Sequence, residues 1–458
     1  MELQKHSSFI FFFVILGMFN DVWGAQNYFV TPNGSNYGDG TESNPWPTIE
    51  RAISELRKIR KGKTTTHVTV NLLAGTHYMS QILWMNKKDS NMSIVAHNDA
   101  DVSISGGVQE NLVWTKQGDH LSARVSTTYY YGDRKFDIRL KEIVTQFAGS
   151  CPSEAFQGDF RLLSARSPNI KVKKNQNVAL EPYHYIHDLL QESDTCKRQS
   201  NWFSQSGCPE INRHGFIFKD DSNSNISNWN YLDQTRLLIF HSWIAEYVDV
   251  ANVTGLGNGL NQIMFKNPLK HAKIGEWNKP SRWRFLPFNN LALLDEPGEY
   301  VCVQENNEAI FTYIPLNNEK LTFSNLAVMI FMVRVTNFQF HGIKFKHSSS
   351  LGKDGYSWGA EAAIKIAGGQ DIDIENCEFS QIGTTGLWLK KTSRLNVQNN
   401  NFLDIGYHGI QSMYKSYSEV QEDIKIKNNL FNGCGISNFW QPACVLIEGS
   451  KNIEVSKP

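Results

Sequence analysis

Short apolar–polar–apolar triplets dominate the C-terminal third of the chain, from about Leu326 onward. One series contains Ile364-Lys365-Ile366, Leu387-Trp388-Leu389, Ile410-Gln411-Ser412 and Val445-Leu446-Ile447. A second contains Ile372-Asp373-Ile374, Leu395-Asn396-Val397, Ile424-Lys425-Ile426 and Ile453-Glu454-Val455. A third ends at Phe345, Phe379, Phe402 and Phe431. Strict alternation puts the aliphatics on one side of a strand and the polar partners on the other. The three series recur together. The segments IENCEFSQIG, VQNNNFLDIG and IKNNLFNGCG carry an Asn at 376, 399 and 428, at steps of 23 and 29 residues. Repeats of this length built from short strands mean that one unit stacks on the next. The pattern predicts an all-β solenoid, a parallel β-helix of three strands per coil. Equivalent strands would lie about 4.8 Å apart, so that each coil buries the Phe and Ile of its neighbours. The Asn column is expected to form a hydrogen-bonded ladder at a turn.

Upstream, Gln26 to Val30 reads as a first strand. Thr48 then caps an amphipathic helix with Ile49, Ala52, Ile53, Leu56 and Ile59 on one face. Short strands follow at His67 to Leu73, Ile82–Met85, Met92–Ala96 and Val102–Ser105. A stacked solenoid exposes an apolar end and an open strand edge, and the helix is expected to cap it. The middle of the chain lacks the repeat and is rich in Trp, Tyr, Asn and charge. The expected division is a signal peptide over 1–24, the cap and first coils over 25–114, an inserted β-rich module over 115–320, and C-terminal coils over 321–458. The given sequence stops at Lys457-Pro458, directly after the strand Ile453–Val455, so a truncated set of coils is expected.

The chain has 458 residues, with Lys+Arg 45 against Asp+Glu 45. A formal charge of zero argues against a nucleic-acid or anionic-membrane partner, both of which need a positive field. Lys5 and His6 precede an apolar run from Phe9 to Phe19, too short to span a bilayer comfortably. We read a secretory signal cut after Gly24, no membrane span thereafter, and a secreted, extracellular protein. Glycosylation sequons at Asn33, Asn91, Asn225 and Asn252 agree with that compartment. So do the cysteines. Cys196 and Cys208 bracket a short polar loop and are expected to pair, Cys434 and Cys444 form a second candidate bridge, and Cys377 is expected in a core. No Cys/His cluster has zinc spacing, so no metal and no cofactor are expected.

The residues resemble the secreted right-handed parallel β-helix proteins of the pectin-lyase-like class. Tyr28-Phe29-Val30-Thr31-Pro32-Asn33-Gly34, with Gly40-Thr41 and Pro45 to Ala52, is similar to the opening segment of many such proteins. Leu293 to Tyr300, with Tyr313-Ile314-Pro315 after it, resembles a recurring segment of β-helix glycoside hydrolases, in which Pro297-Gly298 would make a tight turn. Cys377-Glu378-Phe379, Gly383, Gly386 and Asp404-Ile405-Gly406 resemble their coils. The resemblance implies a right-handed fold and a poly- or oligosaccharide partner. It does not choose among activities, because the fold hosts hydrolases, lyases, epimerases and adhesins.

Glycosidic cleavage needs two carboxyl groups converging in a groove. Asp404 is the first candidate, because Gln381 and Gly433 replace it in the flanking coils; the alternative is a turn-capping aspartate. Glu361 is the second, following a loop that carries Asp354, Tyr356 and Trp358, which together with Trp388 are candidates for contacting sugar. His408 could orient an acid; the alternative is a surface histidine. The expectation is a glycoside hydrolase. A non-catalytic glycan-binding or matrix protein is the alternative, and a polysaccharide lyase the third, although no acidic run has calcium-loop spacing.

Overall fold

A computed structural model describes residues 26–61, 64–125, 129–132, 144–147, 151–169, 171–172, 179–180, 183–193, 208–220, 226–241, 245–276, 283–306, 308–350, 361–412, 420–436 and 442–456. The expected signal peptide, Asn225, Cys196, Asp354, Tyr356 and Trp358 lie outside the described residues.

Three parallel sheets form the walls of a solenoid. The first has eight strands, from Gln26–Val30 to Ser450–Ser456. The second has six, from Leu83–Asn86 to Val445–Leu446. The third has six, from Gly75–Tyr78 to Leu430–Cys434. The predicted columns are in register. Ile364 pairs with Leu387 and Leu387 with Ile410 in the second sheet. Ile372, Leu395, Ile424 and Ile453 line up in the first. In the third, the rings of Phe345, Phe379, Phe402 and Phe431 stack at centroid distances of 5.0, 4.8 and 4.8 Å. These side chains belong to one continuous core running the length of the coils. Gly386 and Gly409 are needed beside it: a Cβ there would stand 3.0 Å from Phe402 and 2.7 Å from Phe431.

The helix Ile49–Arg60 covers the N-terminal end. Thr48 accepts a hydrogen bond from Arg51 N, and Ile49, Ala52, Ile53 and Leu56 are buried.

The coil breaks after Val102–Ser105 and resumes at Ile330–Val333 with its register intact. Leu83 pairs with Ile330, Met92 with Phe338 and Ile104 with Phe345. The intervening segment folds mainly into antiparallel sheets of its own, the largest with six strands, over separate cores. A Cys151–Cys302 disulfide staples it, a pairing the sequence did not suggest. Cys434–Cys444 is bonded as expected, and Cys377 is free and buried. Cys208 is disulfide-bonded. Among the described residues no helix is long and apolar enough to cross a membrane.

The asparagine ladder needs correction. Asn376, Asn399 and Asn428 do not build it; they take φ of 53°, 56° and 55°, the left-handed region that Asn tolerates. The ladder lies one residue on. Asn400 Oδ1 accepts from Cys377 N at 2.8 Å, and Asn429 Oδ1 accepts from Asn400 N at 2.9 Å. Asn400 Nδ2 donates to Ile374 O and Asn429 Nδ2 to Val397 O, both at 2.9 Å. Each amide, buried at Asn400 and half-buried at Asn429, thereby satisfies two backbone groups of the preceding coil.

Candidate functional site

Along the second sheet, Phe331, Lys365, Trp388 and Gln411 form one column on the side opposite the core. Inward aliphatics on either side, Ile364 with Ile366 and Leu387 with Leu389, hold the strands in place. The column is nevertheless buried: Lys365 is 3% exposed and Trp388 7%. The Lys365 ammonium sits 5.3 Å from the Phe331 ring centroid and 4.7 Å from that of Trp388. Burial pushes its pKa down to about 8, with the nearby Glu361 charge opposing that shift. Glu361 is buried as well, at the start of the strand Ala362–Ala367.

His408 is fully buried where the third sheet turns into the second. Its Nδ1 lies 3.0 Å from Ala443 N and 3.1 Å from Ala443 O. The Ala443 N–H makes Nδ1 an acceptor, so the neutral ring carries its proton on Nε2. Burial drives the imidazole pKa down to about 4, which keeps the ring neutral near pH 7. Among the described residues, five buried polar atoms on the second sheet and its corner have no hydrogen-bond partner: Thr384 Oγ1, Thr385 Oγ1, Trp388 Nε1, His408 Nε2 and Gln411 Oε1. Native proteins rarely leave such atoms unsatisfied, so a group of them on neighbouring coils needs a ligand or water to complete it.

Asp404 lies on the third sheet, in a column with His347, Gln381 and Gly433. All four positions have positive φ, from 53° to 81°. Its Oδ2 accepts from Arg161 Nε at 2.9 Å and its main-chain oxygen from Arg161 Nη2 at 3.0 Å. Arg161 comes from the inserted module, also pairs with Glu154, and lies 5.1 Å over the Phe156 ring. Asp404 thus anchors the insertion to the solenoid while its side chain stays 35% exposed. In the same column His347 is buried, with Nδ1 2.9 Å from Ser105 Oγ; burial takes its pKa down to about 3.

The structure therefore brings Glu361, Trp388 and His408 to the second sheet and its adjoining corner, with Asp404 on the neighbouring wall. Sequence reasoning missed Lys365, Thr384, Thr385, Gln411 and Arg161. A lysine or tryptophan at the centre of an Ile/Leu triplet was the available signal for the first. Of the sequons, Asn33 lies on an exposed turn and Asn252 on an exposed strand. Asn91 Nδ2 donates to Thr64 O and its Oδ1 accepts from Asn337, so the amide a glycan would occupy is engaged. Among the described residues no group of three or more His, Cys, Asp or Glu is arranged to hold a metal ion.

A family model described as "Right handed beta helix region" matches residues 319–458, the coils that carry this site. The fold is a right-handed parallel β-helix. Comparison with curated proteins finds no match. Among solved structures, one titled "Glycoside hydrolase" is similar over 90% of this chain and 74% of its own, at TM-score 0.69 and 16% identity. Another, titled "The complex structure of XylC with xylose", aligns over 93% of this chain and 56% of its own, at TM-score 0.44 and 10% identity. The first of these likenesses concerns the β-helix fold.

Proposed function

We propose that this β-helix is a secreted carbohydrate-active protein, a glycoside hydrolase that binds an oligo- or polysaccharide along the second sheet and its corner with the third. One observation carries the reading: the buried, unpartnered polar atoms of Thr384, Thr385, Trp388, His408 and Gln411 beside the buried Glu361. Neutral donors and acceptors next to aromatic rings suit a ligand built of hydroxyl groups and apolar ring faces. Glu361 is the more buried of the two candidate carboxylates and serves as the acid. Asp404 is the second carboxylate, its Oδ2 held by Arg161 and its Oδ1 left to accept a proton from water. Asp404 stands two coils above His347, the level at which the Glu361 strand begins. Two coil rises are about 9.6 Å. That axial offset alone is too long for the roughly 5–5.5 Å of a retaining pair and stands at the upper limit of the roughly 6.5–9.5 Å of inverting pairs, so it argues against a retaining pair.

The test is sugar release from a panel of plant, algal and animal glycans, with the product anomer read by proton NMR. Glu361→Gln should lower kcat about 10³-fold with little change in KM. Full activity in that variant would remove the assignment. A second reading has its own support: Arg161 already occupies Asp404, which suits a glycan-binding protein without turnover. Tight binding with no product, in wild type and Glu361→Gln alike, would favour it. A lyase is the third reading, supported by Lys365, whose pKa near 8 suits a proton-abstracting amine; unsaturated products absorbing in the ultraviolet would identify it.

A further inference from the structure

We propose that the inserted module carries a second glycan-contact surface, on the outer face of its six-stranded sheet, which takes a polysaccharide chain bearing uronic-acid carboxylates. This goes beyond the catalytic reading and does not depend on it. The strands Arg284–Phe288, Arg236–Phe240 and Ala245–Gly257 lie side by side in that sheet, with His184–Tyr185 at the near edge. One set of alternating residues, including Leu237, Ile239 and Phe285, faces the module's core. The opposite set is not the charged, solvated face such a sheet ordinarily shows. It forms a separate cluster of Leu238, Ala245 and Leu286, ringed by partly exposed Tyr183, Phe240, Tyr247 and Phe288.

Two arginines sit over these rings. Arg236 stacks at 5.0 Å on Tyr247 and 5.6 Å on Phe288, and its charge is matched by Asp249, Nε to Oδ1 at 3.1 Å. Arg284 stacks at 4.6 Å on Tyr183 and 5.3 Å on Phe240. No carboxylate pairs with it among the described residues, and Tyr185, opposite it in the register, is 56% exposed. A guanidinium held beside rings and without a paired carboxylate keeps N–H groups for a planar anion, and the bidentate match to a carboxylate is its strongest use. The anion therefore sits beside open aromatic surface, the combination that a uronic acid supplies within one sugar: a carboxylate on a ring with an apolar face. Four adjacent strands span about 14 Å, wide enough for several units of a chain.

The test is affinity electrophoresis of the full chain through native gels containing alginate, dextran sulfate or neutral xylan, at physiological ionic strength to suppress long-range attraction. Alginate should retard the wild type, and xylan should not. Arg284→Gln and Tyr185→Ala should each weaken the alginate interaction about tenfold, with thermal unfolding unchanged and any hydrolytic activity on short oligosaccharides intact. Arg284→Lys should recover only part of it, since the fork is lost. Glu361→Gln should be retarded like the wild type, which separates this surface from the site on the second sheet. Absence of retardation in alginate, equal retardation of Arg284→Gln, or retardation by dextran sulfate alone would overturn the proposal. A wild-type dimer seen by ultracentrifugation and lost in Arg284→Gln would instead give the face to a second copy of the chain.

Discussion

Acid should loosen the coils around His408, and by an amount the structure predicts. The ring is fully buried and accepts a backbone hydrogen bond from Ala443; burial lowers its pKa from 6.5 to about 4. In the unfolded chain the imidazole titrates near 6.5. Between pH 6.5 and about 4 the unfolded state therefore binds the proton that the folded state refuses, and stability falls as pH falls. Below about 4 both states are protonated and no further loss comes from this residue. A gap of about 2.5 units is worth about 3 kcal/mol. His347, lowered to about 3, adds a loss of the same sign over a slightly wider window. His408→Gln isolates the first contribution, since a Gln oxygen can accept the Ala443 N–H without titrating. Solenoids unfold coil by coil rather than in one step, so the readout should be local. Leu387 N donates to Gly409 O and Ile410 N to Cys444 O, and hydrogen exchange at those two amides reports the coils in question. Their protection in the wild type, relative to His408→Gln, should drop by about 3 kcal/mol between pH 7 and pH 4. Parallel pH profiles in the two proteins would show that the ring is not held neutral by its surroundings.

Phe402→Ala removes a fully buried ring stacked at 4.8 Å on both sides and should destabilise by about 4 kcal/mol in urea unfolding; Phe431→Ala, at a partly exposed end of the stack, should lose less. Gly409→Ala places a Cβ 2.5 Å from Cys444 O and 2.7 Å from the Phe431 ring, and should lower stability by about 2 kcal/mol in the same assay. Arg161→Leu strands Glu154 and Asp404 without their cation; a loss of about 3 kcal/mol is expected, with faster limited proteolysis of the inserted module than of the coils.

The walls of the solenoid were legible because a parallel stack makes the same demand of every coil. Residues in register meet their own equivalents one coil rise away, so an Ile above an Ile or a Phe above a Phe is what packs. That is why the Phe column and both aliphatic series could be aligned from the chain alone, and why the helix after Thr48 was visible from its spacing. The asparagine ladder was misplaced by one residue for a related reason. The recurrent Asn376, Asn399 and Asn428 answer a backbone demand for positive φ, whereas the ladder position opens with Cys377 and becomes Asn only at 400 and 429. The inserted module was visible only as an interruption. The Cys151–Cys302 bridge and pairings such as Arg124 with Ile310 and Phe156 with Thr322 join residues far apart in sequence, and no periodicity announces them.

The same logic explains why the candidate site was only half readable. Columns that face the core are uniform, and those that face away are not. The outward column of the second sheet runs Phe331, Lys365, Trp388, Gln411. The left-handed column of the third runs His347, Gln381, Asp404, Gly433. Nothing repeats in either, because each coil meets a different neighbour there: Ser105 for His347, Gly158 for Gln381, Arg161 for Asp404. In the sequence this irregularity looks like the tolerance of a solvated face. Burial separates the two cases. A solvated column varies because nothing depends on it, but in a column at 3–7% exposure the Trp388 indole N–H and the Gln411 amide oxygen stand without partners among the described residues unless something is meant to meet them. In a stacked fold, then, the columns that repeat build the core, and the buried columns that fail to repeat are where chemistry should be sought.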